Sequence, residues 1–184
     1  RARAATEDGT FAREIVPVEV PGRKGAVTVV ERDEEPYRSD LDKMAKLRPA
    51  FDREGSVTAA NASKINDGAA AAVLTTAARA EEMGITPVAR IVAQTSVAQE
   101  PEWFTTAPVA AIRKVLDRAS MTLDQIDVFE VNEAFAAVAL VALRELALDP
   151  AKLNPLGGAV ALGHPIGASG ARILTTLLNG LESR

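Results

Sequence analysis

The stretch Asn154–Arg172, NPLGGAVALGHPIGASGAR, holds the chain's one histidine, His164, among five glycines running from Gly157 to Gly170. Gly158–Leu162 reads as a strand-like apolar run, and a final helix is expected from about Ala168 to Leu181. Gly157 and Gly158 permit close backbone approach, Gly163 lets the chain turn sharply after a strand, and Pro165 stiffens the residue behind His164. Gly167 and Gly170 are expected to leave room where the helix begins. The imidazole is therefore held at a strand-to-helix junction, where the active sites of α/β folds gather. It reads either as a structural histidine or as a general base, and the rigid frame favours the base. A phosphate-cradling loop fails in detail, because neither GxGxxG nor GxxxxGK[ST] opens the helix.

Outward from this stretch, the chain from Val57 alternates compact apolar runs with amphipathic ones. Ala89–Thr95 and Asp127–Val131 read as strands. Thr106–Ala119 reads as a helix with Thr106 as N-cap and Pro108 in its first turn, and Glu133–Leu148 as a helix capped by Asn132. Strand and helix at this spacing define an α/β layer architecture. Asn132, in VNEAF (Val131–Phe135), is either that cap or an amide holding a water or oxyanion beside the site. Both it and His164 follow strands, which puts them on one sheet edge. Asp67–Arg79 fits a helix by alanine propensity and a small-residue buried strand equally well. In VTAANASKINDG (Val57–Gly68), Ala59, Ala60, Ala62 and Ser63 suit either a close wall against an extended ligand or a plain loop. Residues 1–56 differ: Glu14–Val20 and Ala26–Glu31 read as a hairpin around Pro21–Gly25, a short helix follows over Asp40–Leu47, and the segment has little core of its own.

Composition narrows the classes. The 184 residues carry 21 Lys+Arg and 25 Asp+Glu, a net charge of −4, which argues against nucleic acid or an anionic membrane as partner. Zero cysteines exclude a disulfide framework, a thiolate metal site and a cysteine nucleophile from this chain itself. The longest apolar run, Ala134–Leu143, is half a membrane span. A soluble, cytoplasmic protein is expected. With no initiator Met and no signal-like segment at Arg1, the chain is expected to be cut from something longer.

NPLGGAVALGHPIGASGAR resembles the glycine-histidine signature of thiolases, and VNEAF and VTAANASKINDGAAA resemble two further blocks of that family, so the likeness covers effectively the whole chain. It implies the α/β thiolase fold, two layered βαβαβαββ halves with a loop domain inserted in the first. Residues 1–56 would be the remainder of the loop domain, 57–86 the end of the N-terminal half and 87–184 a truncated C-terminal half. Ala69–Thr75 would then be a buried strand.

The resemblance implies acyl transfer between coenzyme A thioesters through a cysteine thioester whose cysteine lies outside this chain. The closest likeness is to acetyl-CoA C-acetyltransferases, and no cofactor is required. His164 would take the cysteine's proton and later bind a thioester oxygen, and Asn132 would hold an oxyanion-hole water. Ser63 matches a serine near the pantetheine amide, Ala59, Ala134 and Phe135 match tunnel walls, Phe104 an acyl-pocket residue and Arg38 a residue near the adenine. A finer likeness, to potassium-dependent members, implies K⁺ ligands at Tyr37, Ala59, Ala60, Ala62 and Val160. Lys64 departs from the glycine of many biosynthetic members, which changes how pantetheine is held. Members are usually homo-dimers or homo-tetramers. A degradative 3-ketoacyl-CoA thiolase is the alternative within the family. A non-catalytic CoA-binding module completed by a partner chain is the alternative outside catalysis.

Overall fold

A computed structural model describes residues 1–182. Its core is built by two helices and the segments that pass beneath them. Helix α4 (Ala107–Ala119) carries Val109, Ile112 and Leu116 at helical spacing and turns that stripe toward helix α5 (Ala136–Glu145), which contributes Val138 and Ala139. Phe129, Val131, Leu146, Leu148 and Leu153 close the cluster. Pro108 sits in the first turn of α4, where a missing N–H costs nothing, and Ser120 ends the helix in the left-handed conformation at φ 54°. From α4, Arg113 Nη2 donates to the Glu145 carbonyl at 3.0 Å, covering an orphan acceptor at the end of α5.

The first 56 residues wrap this body. Helix α1 (Ala2–Glu7) is fixed by Arg1, whose guanidinium donates to the carbonyls of Leu153 at 2.6 Å and Pro150 at 2.7 Å. The expected hairpin is present but shorter: β1 (Val18–Pro21) pairs antiparallel with β2 (Val27–Val30), Val18 opposite Val30, and all eight residues are exposed. Helix α2 (Glu35–Arg38) follows, then a 3₁₀ turn over Leu41–Lys46, capped by the Asp40 side chain, where a short α-helix was expected. Helices α3 (Ala77–Glu82), α6 (Ala159–Leu162) and α7 (Ser169–Glu182) complete the α-helices among the described residues. None of the described helices is long and apolar enough to cross a membrane.

Several local expectations are corrected. Gly158–Leu162 is not a strand: Gly158 caps the single turn of α6. Asn132 does not cap α5, which begins at Ala136 after Phe135. Thr106 precedes α4 without a side-chain cap, because its hydroxyl donates to the Trp103 carbonyl at 2.9 Å. Asp127–Val131 makes only one bridge, Phe129 with Leu153 in parallel sense. Ala89–Thr95 and Ala69–Thr75 have no ladder partner among the described residues, and the second is largely exposed rather than buried. A strand is a property of a pair, so a β-suited sequence without a neighbour to bond stays irregular. The 94–96 segment is instead held by α4, Arg118 donating to the Gln94 carbonyl at 2.7 Å and Lys114 to that of Ser96 at 3.1 Å. Gly167 and Gly170 face open space, so neither is needed for room at the start of α7.

The unpaired segments leave large apolar side chains in water: Val73 is 98% exposed, Ile65 97% and Ile166 79%. Such surface drives association. The 184-residue polypeptide by itself is expected to self-associate with rising concentration in size-exclusion chromatography with light scattering. A monomer across a tenfold concentration range overturns this.

Candidate active site

His164 is held at both ring nitrogens. Nδ1 lies 2.6 Å from Ser169 Oγ, and that hydroxyl donates its own proton to the Pro165 carbonyl at 3.0 Å. With its proton spent there, Ser169 Oγ accepts from Nδ1–H, which leaves Nε2 unprotonated in the neutral ring. Nε2 faces the Asn132 amide, Nδ2 to Nε2 being 3.4 Å. The tautomer is thus the one a general base needs, with its lone pair on the side of Asn132. The Asn132 Oδ1 is buried without a partner among the described residues, an acceptor suited to a bound water.

The backbone of His164 is fixed as firmly. Its N–H donates to the Lys64 carbonyl at 3.1 Å and lies 3.4 Å from Asn66 Oδ1. Gly163 stands at φ +96°, and a Cβ there would come within 2.5 Å of Asn66 Oδ1, so turn and contact both require glycine. The expectation of a sharp turn at this position is met, although a helix turn rather than a strand leads into it.

Asn132 is positioned by Asn154, a residue that sequence reasoning passed over. Asn154 is 3% exposed with φ 44°, and its amide works as a false strand: Oδ1 accepts from Val131 N at 2.8 Å and Nδ2 donates to Val131 O at 2.9 Å. Nδ2 also reaches Glu133 Oε1 at 2.9 Å, so both neighbours of Asn132 hang on one side chain. Glu133 Oε2 in turn accepts from Val160 N at 3.2 Å. A Cβ at Gly158 would sit 2.1 Å from the Glu133 carboxyl carbon, which explains this glycine by close approach.

The other expected residues fall as follows. Ala62 bridges Phe135 antiparallel, with Ser63 N to Ala134 O at 3.0 Å and Ala136 N to Asn61 O at 2.8 Å. Ser63, Ala134 and Phe135 therefore meet, and the Phe135 and Phe104 ring centroids are 6.1 Å apart. Ala59 is exposed and Ala60 half-buried in the turn before them. Arg38 is already engaged by two carboxylates, Glu34 at 2.7 Å and Glu35 at 2.8 Å. Tyr37 fits poorly as a cation ligand through its hydroxyl. That oxygen accepts from Arg32, whose guanidinium also lies 4.2 Å over the ring, with Arg3 at 5.8 Å. No group of three or more acidic, histidine or cysteine side chains suited to a metal occurs among the described residues.

Behind the site, carboxylates gather around Arg172 of α7. Arg172 Nη1 reaches Thr176 Oγ1 at 3.3 Å, and Thr176 donates to Glu14 Oε2 at 3.0 Å. Burial pushes Glu130 up to about 7, against the opposing pull of Arg172 and with some help from Glu133 and Glu14. Burial also raises Glu14 and Asp33. Glu130 lies two residues before Asn132, so its charge state bears on the segment that carries the site.

Residues 1–78 match the thiolase N-terminal domain and residues 85–184 the thiolase C-terminal domain. The chain belongs to the thiolase family. It is 50% identical to the cytosolic acetyl-CoA acetyltransferase of Gibberella zeae, over 100% of this chain and 46% of that protein. It is 52% identical to the acetyl-CoA acetyltransferase of Shinella zoogloeoides (100% and 47%) and 52% to a beta-ketoadipyl-CoA thiolase of Acinetobacter baylyi (99% and 46%). The crystal structure of the Bacillus anthracis acetyl-CoA acetyltransferase superposes with a TM-score of 0.95 at 43% identity, covering 100% of this chain and 46% of that one. Human mitochondrial 3-ketoacyl-CoA thiolase does so with 0.89 at 36% identity, covering 100% and 46%. The architecture is thus the α/β thiolase fold, and the chain spans about half the length of the curated relatives it matches.

Two outcomes are expected from these contacts. Asn154→Leu strands the buried Val131 N–H and C=O, each worth roughly 1–3 kcal/mol, so stability falls by about 2–4 kcal/mol in denaturant titration. Loss under about 0.5 kcal/mol would show the bridge to be idle. For Glu130 the folded state favours the protonated carboxyl, so between its ordinary 4.5 and about 7 the native protein binds more protons than the unfolded one. Stability therefore falls as pH rises through that window, Glu14 and Asp33 adding in the same direction. Melting midpoints from pH 5 to 8 should decline in the wild type and flatten in Glu130→Gln. An unchanged slope in the variant removes Glu130 as the cause.

Proposed function

We propose that the protein carrying this chain transfers acyl groups between coenzyme A thioesters, making acetoacetyl-CoA and CoA from two acetyl-CoA and running the reverse reaction as thiolysis. One observation carries the reading: His164 is locked in the tautomer whose free Nε2 faces the Asn132 amide. In the forward half-reaction Nε2 takes and keeps the proton of a cysteine thiol, the thiolate attacks the thioester carbonyl, and CoA leaves as its thiolate while the acyl group moves to sulfur. In the second half-reaction the imidazolium Nε2–H donates to the thioester oxygen of the incoming acetyl-CoA. The α-carbon of that acetyl-CoA gives its proton to a base outside this chain and attacks the acyl carbon, so that the cysteine leaves as thiolate and recovers its proton from Nε2. The unpaired Asn132 Oδ1 supports a water held there as a further donor to the developing oxyanion.

The cysteine has to come from polypeptide outside residues 1–184, since the chain has none. The pantetheine would run past Ser63, Ala59 and Ala134. The Phe104–Phe135 ring contact, the bulkiest feature of an otherwise alanine-lined approach, supports a short acyl group. Arg38 would serve the adenine only by leaving Glu34 or Glu35. A potassium ion would be held by Ala59, Ala60, Ala62 and Val160, whereas the guanidinium on Tyr37 disfavours that hydroxyl as a ligand. The sequence boundaries near residues 56 and 86, a cytoplasmic site of action and a homo-dimeric or homo-tetrameric assembly complete the reading. A second reading, a thiolase of longer 3-ketoacyl-CoA, is favoured by the equally similar beta-ketoadipyl-CoA enzyme.

Thiolysis assays test this. The 184-residue polypeptide alone is expected to show no turnover, because loss of a nucleophile removes nearly all acceleration. The complete protein should cleave acetoacetyl-CoA at least tenfold better in kcat/KM than a six-carbon ketoacyl-CoA, and His164→Ala should cost a factor of about 10³ or more. Wild-type rates in His164→Ala overturn the proposal, and preference for the longer substrate moves it to the second reading.

A further inference from the structure

The structure assigns Glu35 and Lys64 as positioning residues for His164: their ion pair ties down the segment whose carbonyl holds the histidine's backbone N–H. Lys64 Nζ lies 2.6 Å from Glu35 Oε2, and Glu35 is buried, its side chain 8% exposed. The same Lys64 accepts from His164 N at 3.1 Å through its carbonyl, so a single residue connects a buried carboxylate to the loop of the base. Asn66 doubles the link. Its Oδ1 faces His164 N at 3.4 Å, and its side chain is close enough to Glu35 to help hold that carboxyl below the usual range. Arg38 Nη1, at 2.8 Å from Glu35 Oε1, satisfies the remaining oxygen.

On either side the segment is held by Ser63 N, which donates to the Ala134 carbonyl at 3.0 Å, and by Gly68, where a Cβ would come within 2.7 Å of Pro165. Residues 64–76 adopt no helix or strand, and Ile65, between the two tethered residues, is 97% exposed. Between those flanking contacts, the polar contacts of Lys64 and Asn66 to Glu35 and His164 hold 64–66. Glu35 stays ionised for the task, held below the usual glutamate range by the Lys64 ammonium and, after desolvation is offset, by Arg38. An ammonium on a buried carboxylate with short, paired geometry is a strong contact, whereas solvent-exposed ion pairs count for little. A loop released here would let the imidazole drift relative to an incoming sulfur, and an ångström of drift costs up to about a hundredfold in rate.

The inference rests on His164 being the base proposed above. Its test uses the longest polypeptide the gene encodes around this chain, with [¹⁵N]histidine labelling and the His164 amide signal assigned by its loss in His164→Asn. Lys64→Met, which leaves Glu35 paired with Arg38 and so spares the fold, should speed exchange of the His164 amide at least tenfold. It should also lower kcat for thiolysis roughly tenfold with KM within threefold. Glu35→Gln should act alike, Lys64→Arg should restore both readouts to within threefold, and Arg79→Met, at an exposed ion pair elsewhere, should change neither. Unchanged His164 exchange in both Lys64→Met and Glu35→Gln overturns the tether. Faster exchange with unchanged kcat overturns the positioning role. Absent turnover in the wild type sinks the acyl-transfer reading, and with it the base that Glu35 and Lys64 are said to position, whatever the exchange shows.

Discussion

A single imidazole bonded at both nitrogens sets the conditions that the surrounding structure has to meet. Ser169 can accept from Nδ1 because its own proton goes to the Pro165 carbonyl, which also receives the N–H groups of Ala168 and Ser169 at 2.8 Å where α7 begins. Neutral histidine interconverts freely between tautomers in water, so a site that needs one of them must supply an acceptor on the other nitrogen. Here the acceptor is a hydroxyl rather than a carboxylate. It fixes the proton without placing a full negative charge beside the ring.

The amide opposite Nε2 raises a second demand, because Asn132 belongs to no helix or strand. The structure meets it with Asn154, whose side chain bonds both polar groups of Val131 and reaches Glu133. Asn154 adopts φ 44°, a conformation that asparagine tolerates better than most residues. Glu133 passes the constraint on to Val160 N, at the start of the turn that leads to Gly163 and His164. The two site residues are thereby joined through bonded neighbours as well as through their own contact at 3.4 Å.

Much of this was legible along the chain, and the failures share a cause. His164 and Asn132 stand out because glycines around a lone histidine and a polar residue after an apolar run are local signals, and the structure does bring the two together. Ser169 lay in the same motif, five residues on, and could have been found by asking what holds the other ring nitrogen. Asn154 gives no such sign, its bonded partner lying 23 positions away. Glu35 lies in a segment read as having little core of its own and Lys64 reads only as a departure from a family glycine, and nothing local tells a buried carboxylate from an exposed one. The strands expected at Ala69–Thr75 and Ala89–Thr95 fail for a related reason. Their composition suits a sheet, yet pairing is decided by what lies alongside.

The matches to two thiolase domains divide the chain between residues 78 and 85, but the contacts of His164 do not follow that division. Its ring is held by Asn132 and Ser169 from the second part, and its backbone by Lys64 and Asn66 from the first. Arg1 and Ala2 lie against the loop at 150–157, so closely that a Cβ at Gly157 would come within 2.8 Å of the Ala2 side chain. A base fixed from one side would keep its tautomer yet follow any shift between the parts. Fixed from both, it reports their relative position directly, since moving residues 64–66 moves the backbone amide of His164. Splitting the frame this way makes the geometry of Nε2 depend on the packing of the whole chain and not on the motif that carries it.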